Sequence, residues 1–253
     1  MKPAIRNFLA TSVLALGLAG ALQAQASVVI GGTRVIYHAK ESEVTIKLSN
    51  EGQSPALTQA WLDNGDAKAT PSSVDVPFIV TPPVTRIDPR KGQTLRIHYT
   101  GEPLPQDKES VFWLNVLEVP PKPTGEAANA NQLQLAFRSR IKFFYRPAGL
   151  KGMADDAPSQ VTWRATQSGN HPAVEARNPT PYHVSFTALE VRSGGKTAKS
   201  DDGGMVGPGE TKVFPLTGDA VQGADVKVHY RAINDYGGST EGDATSGAAP
   251  QPK

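Results

Sequence analysis

The feature that most constrains this chain is the alternation of apolar and polar residues with a period of two, because only an extended strand puts every second side chain on one face. Val44, Ile46 and Leu48 alternate with Thr45, Lys47 and Ser49. Leu95, Ile97 and Tyr99 alternate with Arg96 and His98, and Phe112, Leu114 and Val116 with Trp113, Asn115 and Leu117. Turn-forming clusters separate these runs: Asn50-Glu51-Gly52, Asp63-Asn64-Gly65, Asp88-Pro89-Arg90-Lys91-Gly92 and Pro120-Pro121-Lys122-Pro123. The 24 Gly and 21 Pro in 253 residues exceed the roughly 12% of average usage. Helical periodicity is nearly absent, so the pattern predicts an all-β protein built of antiparallel sandwiches.

The alternation comes in two sets. After Pro147 it lapses over residues 148–159, which gain Gly and Asp and read as a linker. It resumes with Val161 and Trp163, Val174 and Ala176, and apolar runs at 182–191, 211–216 and 226–233. The expected division is a first domain over 27–147, a second over 160–238, and a polar tail over 239–253 without order. No internal repeat is visible. Residues 1–26 read as an export signal: Lys2 and Arg6 precede a largely apolar stretch, and Ala24-Gln25-Ala26 offers a small-x-small cleavage pattern. Without that segment the chain holds 24 Lys+Arg against 24 Asp+Glu, so no net positive charge argues for nucleic acid as a partner. The absence of cysteine excludes disulfides and thiolate chemistry.

Catalytic constellations are missing. His38, His98, His171, His183 and His229 are dispersed, without paired metal spacing. Gly194-Gly195-Lys196-Thr197 reads as a hairpin turn, since a phosphate loop would place Glu190 at its first glycine. The expectation is a protein that is not an enzyme, with no cofactor, metal or small-molecule substrate. A secreted adhesin or carbohydrate-binding sandwich is the rival reading. Trp61, Trp113 and Trp163 lie in strand-like stretches, where core packing is the expected role.

One segment asks for more than packing. Leu133, Leu135, Phe137, Ile141, Phe143 and Tyr145 share one parity, broken by Ser139, while Gln134, Arg138, Arg140, Lys142 and Arg146 take the other. A strand of that length is more than twice the usual five or six residues. It is either a long core strand with an overhang or an edge whose unpaired backbone and alternate apolar side chains bind another chain.

At these residues the chain resembles the periplasmic pilus-assembly chaperones of the chaperone–usher pathway. Matching stretches are Thr33-Arg34-Val35-Ile36-Tyr37, Gln59-Ala60-Trp61, Thr81-Pro82-Pro83-Val84-Thr85-Arg86-Ile87-Asp88-Pro89, and Asp107-Lys108-Glu109-Ser110-Val111-Phe112-Trp113-Leu114-Asn115. They continue with Ile141-Lys142-Phe143-Phe144-Tyr145-Arg146-Pro147, Asn178-Pro179-Thr180-Pro181-Tyr182 and Ile233-Asn234-Asp235-Tyr236-Gly237-Gly238. The resemblance implies two immunoglobulin-like domains in an L-shaped arrangement, acting in the periplasm on pilin subunits and delivering them to an outer-membrane usher. It implies that Leu133, Leu135 and Phe137 on a lent edge strand fill the pilin groove, and that Arg34 and Lys142 anchor the pilin's terminal carboxylate. Glu109, Arg146 and Asp235 match a charge network between the domains. The same edge offers a route to self-association of the free protein. Lys142 has the opposite parity to Phe137, which calls for a bulge, a strong twist, or an approach from another side. Replacing Arg138, on the other parity, by Glu is expected to impair subunit protection much less than the same change at Leu135 or Phe137.

Overall fold

A computed structural model describes residues 27–120, 135–219 and 226–246. The export-signal reading of residues 1–26 and the groove-filling expectation for Leu133 lie outside the described residues. Among those described, nine strands build the first domain: β1 (Val28–Ile30), β2 (Arg34–His38), β3 (Val44–Asn50), β4 (Ala56–Asp63), β5 (Phe78–Thr81), β6 (Val84–Ile87), β7 (Gly92–Tyr99), β8 (Ser110–Val119) and β9 (Phe137–Arg146). They form two sheets, in the orders β1-β3-β7-β5 and β2-β9-β8-β4-β6. The inward parity of each alternating run meets between them: Leu48, Leu95, Ile97, Leu114 and Phe143 are fully buried. Phe78 packs against Tyr37, Phe112 and Phe143 at centroid distances of 5.8, 5.0 and 4.9 Å. Each such buried side chain contributes roughly 1.5–3 kcal/mol.

The second domain follows the same plan. Its strands are β10 (Thr162–Ser168), β11 (His171–Arg177), β12 (Val184–Ser193), β13 (Lys196–Ser200), β14 (Gly204–Val206), β15 (Thr211–Pro215), β16 (Thr217–Gly218), β17 (Lys227–Ile233) and β18 (Ser239–Thr245). They pair as β10-β11-β15 and as β16-β13-β12-β17-β18, with β14 on β12. Gly194 and Gly195, both at positive φ, close the two-residue β12–β13 hairpin. The linker carries a 3-10 turn at Ala154–Asp156 and one helical turn, α1 (Ala157–Gln160), and its Leu150, Ala154 and Ala157 pack on the second core.

Two expectations require correction. The tail over 239–253 is not without order throughout, because its first seven residues form β18, paired with β17 from Ile233↔Ser239 to Lys227↔Thr245. The inward positions of β18 are Thr240, Gly242 and Ala244, opposite Ala232, Tyr230 and Val228. The Tyr230 hydroxyl occupies the space a side chain at Gly242 would need. Small inward residues leave no apolar alternation to read, and the strand is held by its backbone ladder and by cross-strand pairs such as Arg231–Glu241 at 2.8 Å.

A repeat also exists, at the level of hydrogen bonds. Asn50 and Asn178 are both fully buried at the end of a strand. The Asn50 amide donates to the carbonyls of Ser54 and Ile87, and its side-chain oxygen accepts from the Gly52 amide, each at 2.9 Å. Asn178 donates to the carbonyls of Tyr182 at 2.7 Å and Val206 at 3.0 Å, and accepts from the Thr180 amide at 3.0 Å. Their backbones match too: Arg90 donates to the Asn50 carbonyl and Gly209 to the Asn178 carbonyl, and these donors have φ of 61° and 72°. Left-handed backbone suits Gly209 and costs a side chain such as Arg90 about 1 kcal/mol. Replacing Arg90 by Gly should therefore hold or raise stability by about 1 kcal/mol in chemical denaturation. Asn178→Ala, which strands two buried carbonyls, should lower it by about 3 kcal/mol.

Candidate functional site

The functional geometry follows from where the first strand goes. β1 pairs with β3 in one sandwich sheet, the chain crosses at Gly31-Gly32, and β2 then pairs parallel to β9 in the other sheet. β2 covers β9 only from Arg34↔Lys142 to His38↔Arg146. β8 lines the whole of the opposite side of β9, from Ser110↔Tyr145 to Glu118↔Phe137. Among the described residues, nothing pairs with the outer edge of β9 over residues 137–141. Leu135 and Phe137, 50% and 37% exposed, lie at that open end.

The β8–β9 register runs without a shift, so no bulge separates Phe137 from Lys142 and the two stay on opposite faces of the sheet. Arg34 and Lys142, directly paired across β2 and β9, share the outer face. The second domain lies against that face. The Arg34 guanidinium donates to the Ile233 carbonyl at 3.1 Å and sits 5.6 Å from the Phe144 ring centroid, and the Lys142 ammonium donates to the Ser185 hydroxyl at 2.8 Å. Neither makes an ion pair with a carboxylate among the described residues, and Arg34 Nε is buried without a partner. Burial lowers the pKa of Lys142 to about 8, and the positive charges of Arg34 and Lys212 push the same way. Burial also lowers that of Arg34, against the pull of Asp235 and Glu109.

The structure brings Glu109, Arg146 and Asp235 together. Arg146 donates to Glu109 at 2.7 Å and, through both terminal nitrogens, to Asp235 at 2.6 and 2.8 Å. Glu109 also accepts from the His183 amide at 2.8 Å, and Arg146 lies 5.3 Å from the Tyr182 ring centroid. Burial works against the Arg146 charge, but hydrogen bonding to Asp235 and the charge of Glu109 outweigh it and hold its pKa above the ordinary value. These bonds tie β8 and β9 to the β11–β12 and β17–β18 connections of the second domain.

Sequence reasoning missed a second polar cluster, on the outer face of the first domain. Arg138 stacks 4.8 Å from the centroid of Trp61, and Arg140 stacks 4.7 Å from that of Trp113. Arg138 donates to Asn115 at 2.9 Å and to the Ala67 carbonyl at 2.8 Å. The fully buried Asp63 accepts from Arg140 at 3.1 Å, Asn115 at 2.7 Å and the Gly65 amide at 2.7 Å. Burial pushes the Asp63 carboxyl up, and those hydrogen bonds outweigh it and hold the group below its ordinary range. One sequence expectation changes. Trp61 and Trp113 lie beneath arginines rather than between the sheets, with Trp163 alone of the three in a sandwich core. The interleaved Arg and Trp at cross-strand positions was the available signal.

Residues 27–151 match the family model for the PapD N-terminal domain of pili and flagellar-assembly chaperones, and residues 156–244 match the PapD C-terminal domain of pili assembly chaperones. The chain belongs to the PapD family of pili-assembly chaperones. Among its relatives, chaperone protein FimB/FhaD of Bordetella pertussis is 50% identical over 86% of this chain and 87% of its own length. The probable fimbrial chaperone YadV of Escherichia coli K12 is 48% identical over 87% of this chain and 89% of its own. A solved complex of the Salmonella enterica SafA pilin with the SafB chaperone matches at a TM-score of 0.71 and 28% identity, covering 88% of this chain and 98% of that one. The PapD C-terminal match reaches residue 244 and so includes most of β18.

Two outcomes are expected for this PapD-family chain. Arg138→Glu places a carboxylate beside buried Asp63 and should cost about 3–5 kcal/mol in denaturant unfolding. Arg146→Met leaves Glu109 buried without its arginine, with a similar loss. X-ray scattering should then report a wider spread of interdomain geometry than in the parent.

Proposed function

We propose that this protein is a periplasmic chaperone that holds pilus subunits by lending them the open edge of β9, and that it passes them to an outer-membrane usher. The observation that carries the reading is the half-covered β9 edge ending at Arg34 and Lys142. An unpaired strand edge offers a ladder of backbone donors and acceptors, and Leu135 and Phe137 offer apolar side chains at every second position. Leu133 continues the same parity and is proposed to extend the series.

Polarity decides which end of a guest strand meets the cations. A guest on residues 137–141 would lie in the line that β2 continues, with one end against Arg34 and Lys142. Running parallel to β9, it presents its C-terminal carboxylate to two cations. Running antiparallel, it presents an ammonium to them, which like-charge repulsion disfavours. The parallel orientation is therefore the proposed one, with Arg34 and Lys142 as the carboxylate anchor. A terminal carboxylate ends the backbone line itself, so it can reach an anchor on the outer face while the guest's side chains meet Leu135 and Phe137 on the inner. The opposite parity of Lys142 then needs no bulge. Fixing one chain end also sets the register of the added strand.

The SafA–SafB complex, a relative seen bound to a pilin, supports subunit binding here. Periplasmic residence rests on the export-signal reading of residues 1–26, and usher delivery rests on family membership. Glu109, Arg146 and Asp235 are proposed to set the angle between the domains.

Co-expression with a pilus subunit in a periplasm tests this reading. Arg34→Ala and Lys142→Ala should each lose subunit protection, at about 2–5 kcal/mol of binding energy. Leu135→Glu and Phe137→Glu should do the same while melting near the parent, since those side chains are solvated in the free protein. Normal subunit yield from the Arg34→Ala, Lys142→Ala double variant would sink the anchor. The pH dependence has a definite sign. Lys142 in the free protein loses its proton near pH 8. A bound carboxylate demands the ammonium, so binding must take up a proton at higher pH. Affinity should be flat below that point and fall about tenfold per pH unit above it, and Lys142→Met should abolish the fall.

A further inference from the structure

Glu118, near the end of β8, is a half-buried carboxylate that makes no ion pair with Lys, Arg or His among the described residues. Three donors from two consecutive residues meet it instead: the Ser27 backbone nitrogen at 3.3 Å, the Ser27 hydroxyl, and the Val28 amide at 3.0 Å. All three are neutral in the chain as translated. The bonds cross the sandwich, since β1 belongs to one sheet and β8 to the other. Glu118 also lies directly opposite Phe137, on the open stretch of β9.

Ser27 is fixed on its other sides as well. Its carbonyl accepts from the Glu51 amide at 2.7 Å, and a side chain at Gly52 would come within 2.5 Å of the Ser27 Cβ. Val28 follows, buried and paired with Asn50 at the head of β1. Residues 1–26 read as an export signal that ends in Ala24-Gln25-Ala26, so the bond to be cleaved is the one between Ala26 and Ser27. A signal-cleaving protease adds water across that bond. The hydroxyl goes to the Ala26 carbonyl carbon and a hydrogen to the Ser27 nitrogen, and the new carboxylic acid passes its proton to the new amine, whose ordinary pKa is about 8. The Ser27 nitrogen thereby changes from an amide with one N–H to an ammonium with three, beside a carboxylate that has no cation.

We propose that Glu118 is the receiving site for the α-ammonium created at Ser27 by removal of the export signal, so that maturation adds an ion pair between the two sheets that the uncleaved chain lacks. The inference goes beyond strand lending and rests on the export-signal reading of residues 1–26. A charged donor makes a stronger hydrogen bond to a carboxylate than a neutral one. The gain falls on β1, which is three residues long and precedes the Gly31-Gly32 crossing that leaves the β9 edge open.

The test uses the mature protein recovered from a periplasm, its first residue read by mass spectrometry. Ser27 is expected there, and a different first residue overturns the proposal. Acetylating the Ser27 nitrogen restores a neutral amide. At neutral pH this should lower the melting temperature of the parent by about 2–4 °C. It should change Glu118→Gln little, because glutamine keeps an acceptor oxygen and loses the charge. The charged residues on the segments around Ser27 are Glu118 on β8, Glu51 beside it, and Arg90 and Lys91 in the turn bonded to Asn50. With Glu118 in contact, the ion pair raises the α-ammonium pKa, so the gain is present below about pH 8 and is lost as pH rises through the raised value. Followed by NMR, the α-amine should titrate at higher pH in the parent than in Glu118→Gln or in a synthetic peptide of residues 27–30, a difference that a merely structural Glu118 would not produce. No loss on acetylating the parent, an equal loss in Glu118→Gln, or one α-amine titration in protein and peptide overturns the ion pair. Strand lending is read separately by subunit protection and survives that failure.

Discussion

The rest of the structure depends on one unfinished ladder. Backbone donors and acceptors must find partners, and among the described residues β9 is an inner strand of its sheet whose pairing on one side stops halfway. The cause is the first strand's path, in which three residues pair with β3 before the chain crosses and starts again beside Lys142. Had β1 and β2 run as one strand along β9, the edge would be closed and Arg34 would be an ordinary mid-strand residue. The crossing opens about half of β9 and puts Arg34 at the boundary between covered and open edge. An open apolar edge is an aggregation hazard, and the same exposure is what makes strand lending, and self-association of the free protein, physically available.

Charge is arranged in opposite ways around that edge. Arg138 and Arg140 are neutralised and packed, stacked on tryptophans and bonded to Asn115 and Asp63, and they hold the back of β9 to β8 and β4. Arg146 is likewise paired with Glu109 and Asp235 at the domain junction. Arg34 and Lys142, on the same face of the sheet, are bonded only to neutral acceptors. Removing a partner from the paired clusters leaves a buried charge and costs stability. Removing a cation from the unpaired site costs the fold little, because burial already acts against the charge. Residues of one chemical type are thus neutralised on one stretch of β9 and left to neutral acceptors on another, where the proposed anchor lies, and the difference is the presence or absence of a carboxylate within reach.

The alternation in the sequence revealed the strands because inward positions of a sandwich must be apolar, and it failed where they need not be. β18 escaped because Gly242 yields its space to Tyr230 and its other inward residues are small. The repeated corner escaped because Asn50 and Asn178 share almost no neighbouring sequence and are alike in which carbonyls they bridge. The long apolar parity over 133–145 was legible as an anomaly. Among the described residues, 137–141 are paired on one side only, so neither a simple core strand nor a free overhang describes them.

The sequence by itself determined most of the strands, the two cores and the residue types at the site, because strand parity and turn chemistry act over a few residues. The PapD-family resemblance was readable there as well. Only the tertiary structure decided which edge of β9 is open, that Arg138 and Trp61 belong to a polar clamp, and that Lys142 meets Ser185 of the second domain. Those facts depend on register between strands far apart in the chain and on how two domains meet. Such placements arise from the summed packing of both cores, and no local pattern encodes them.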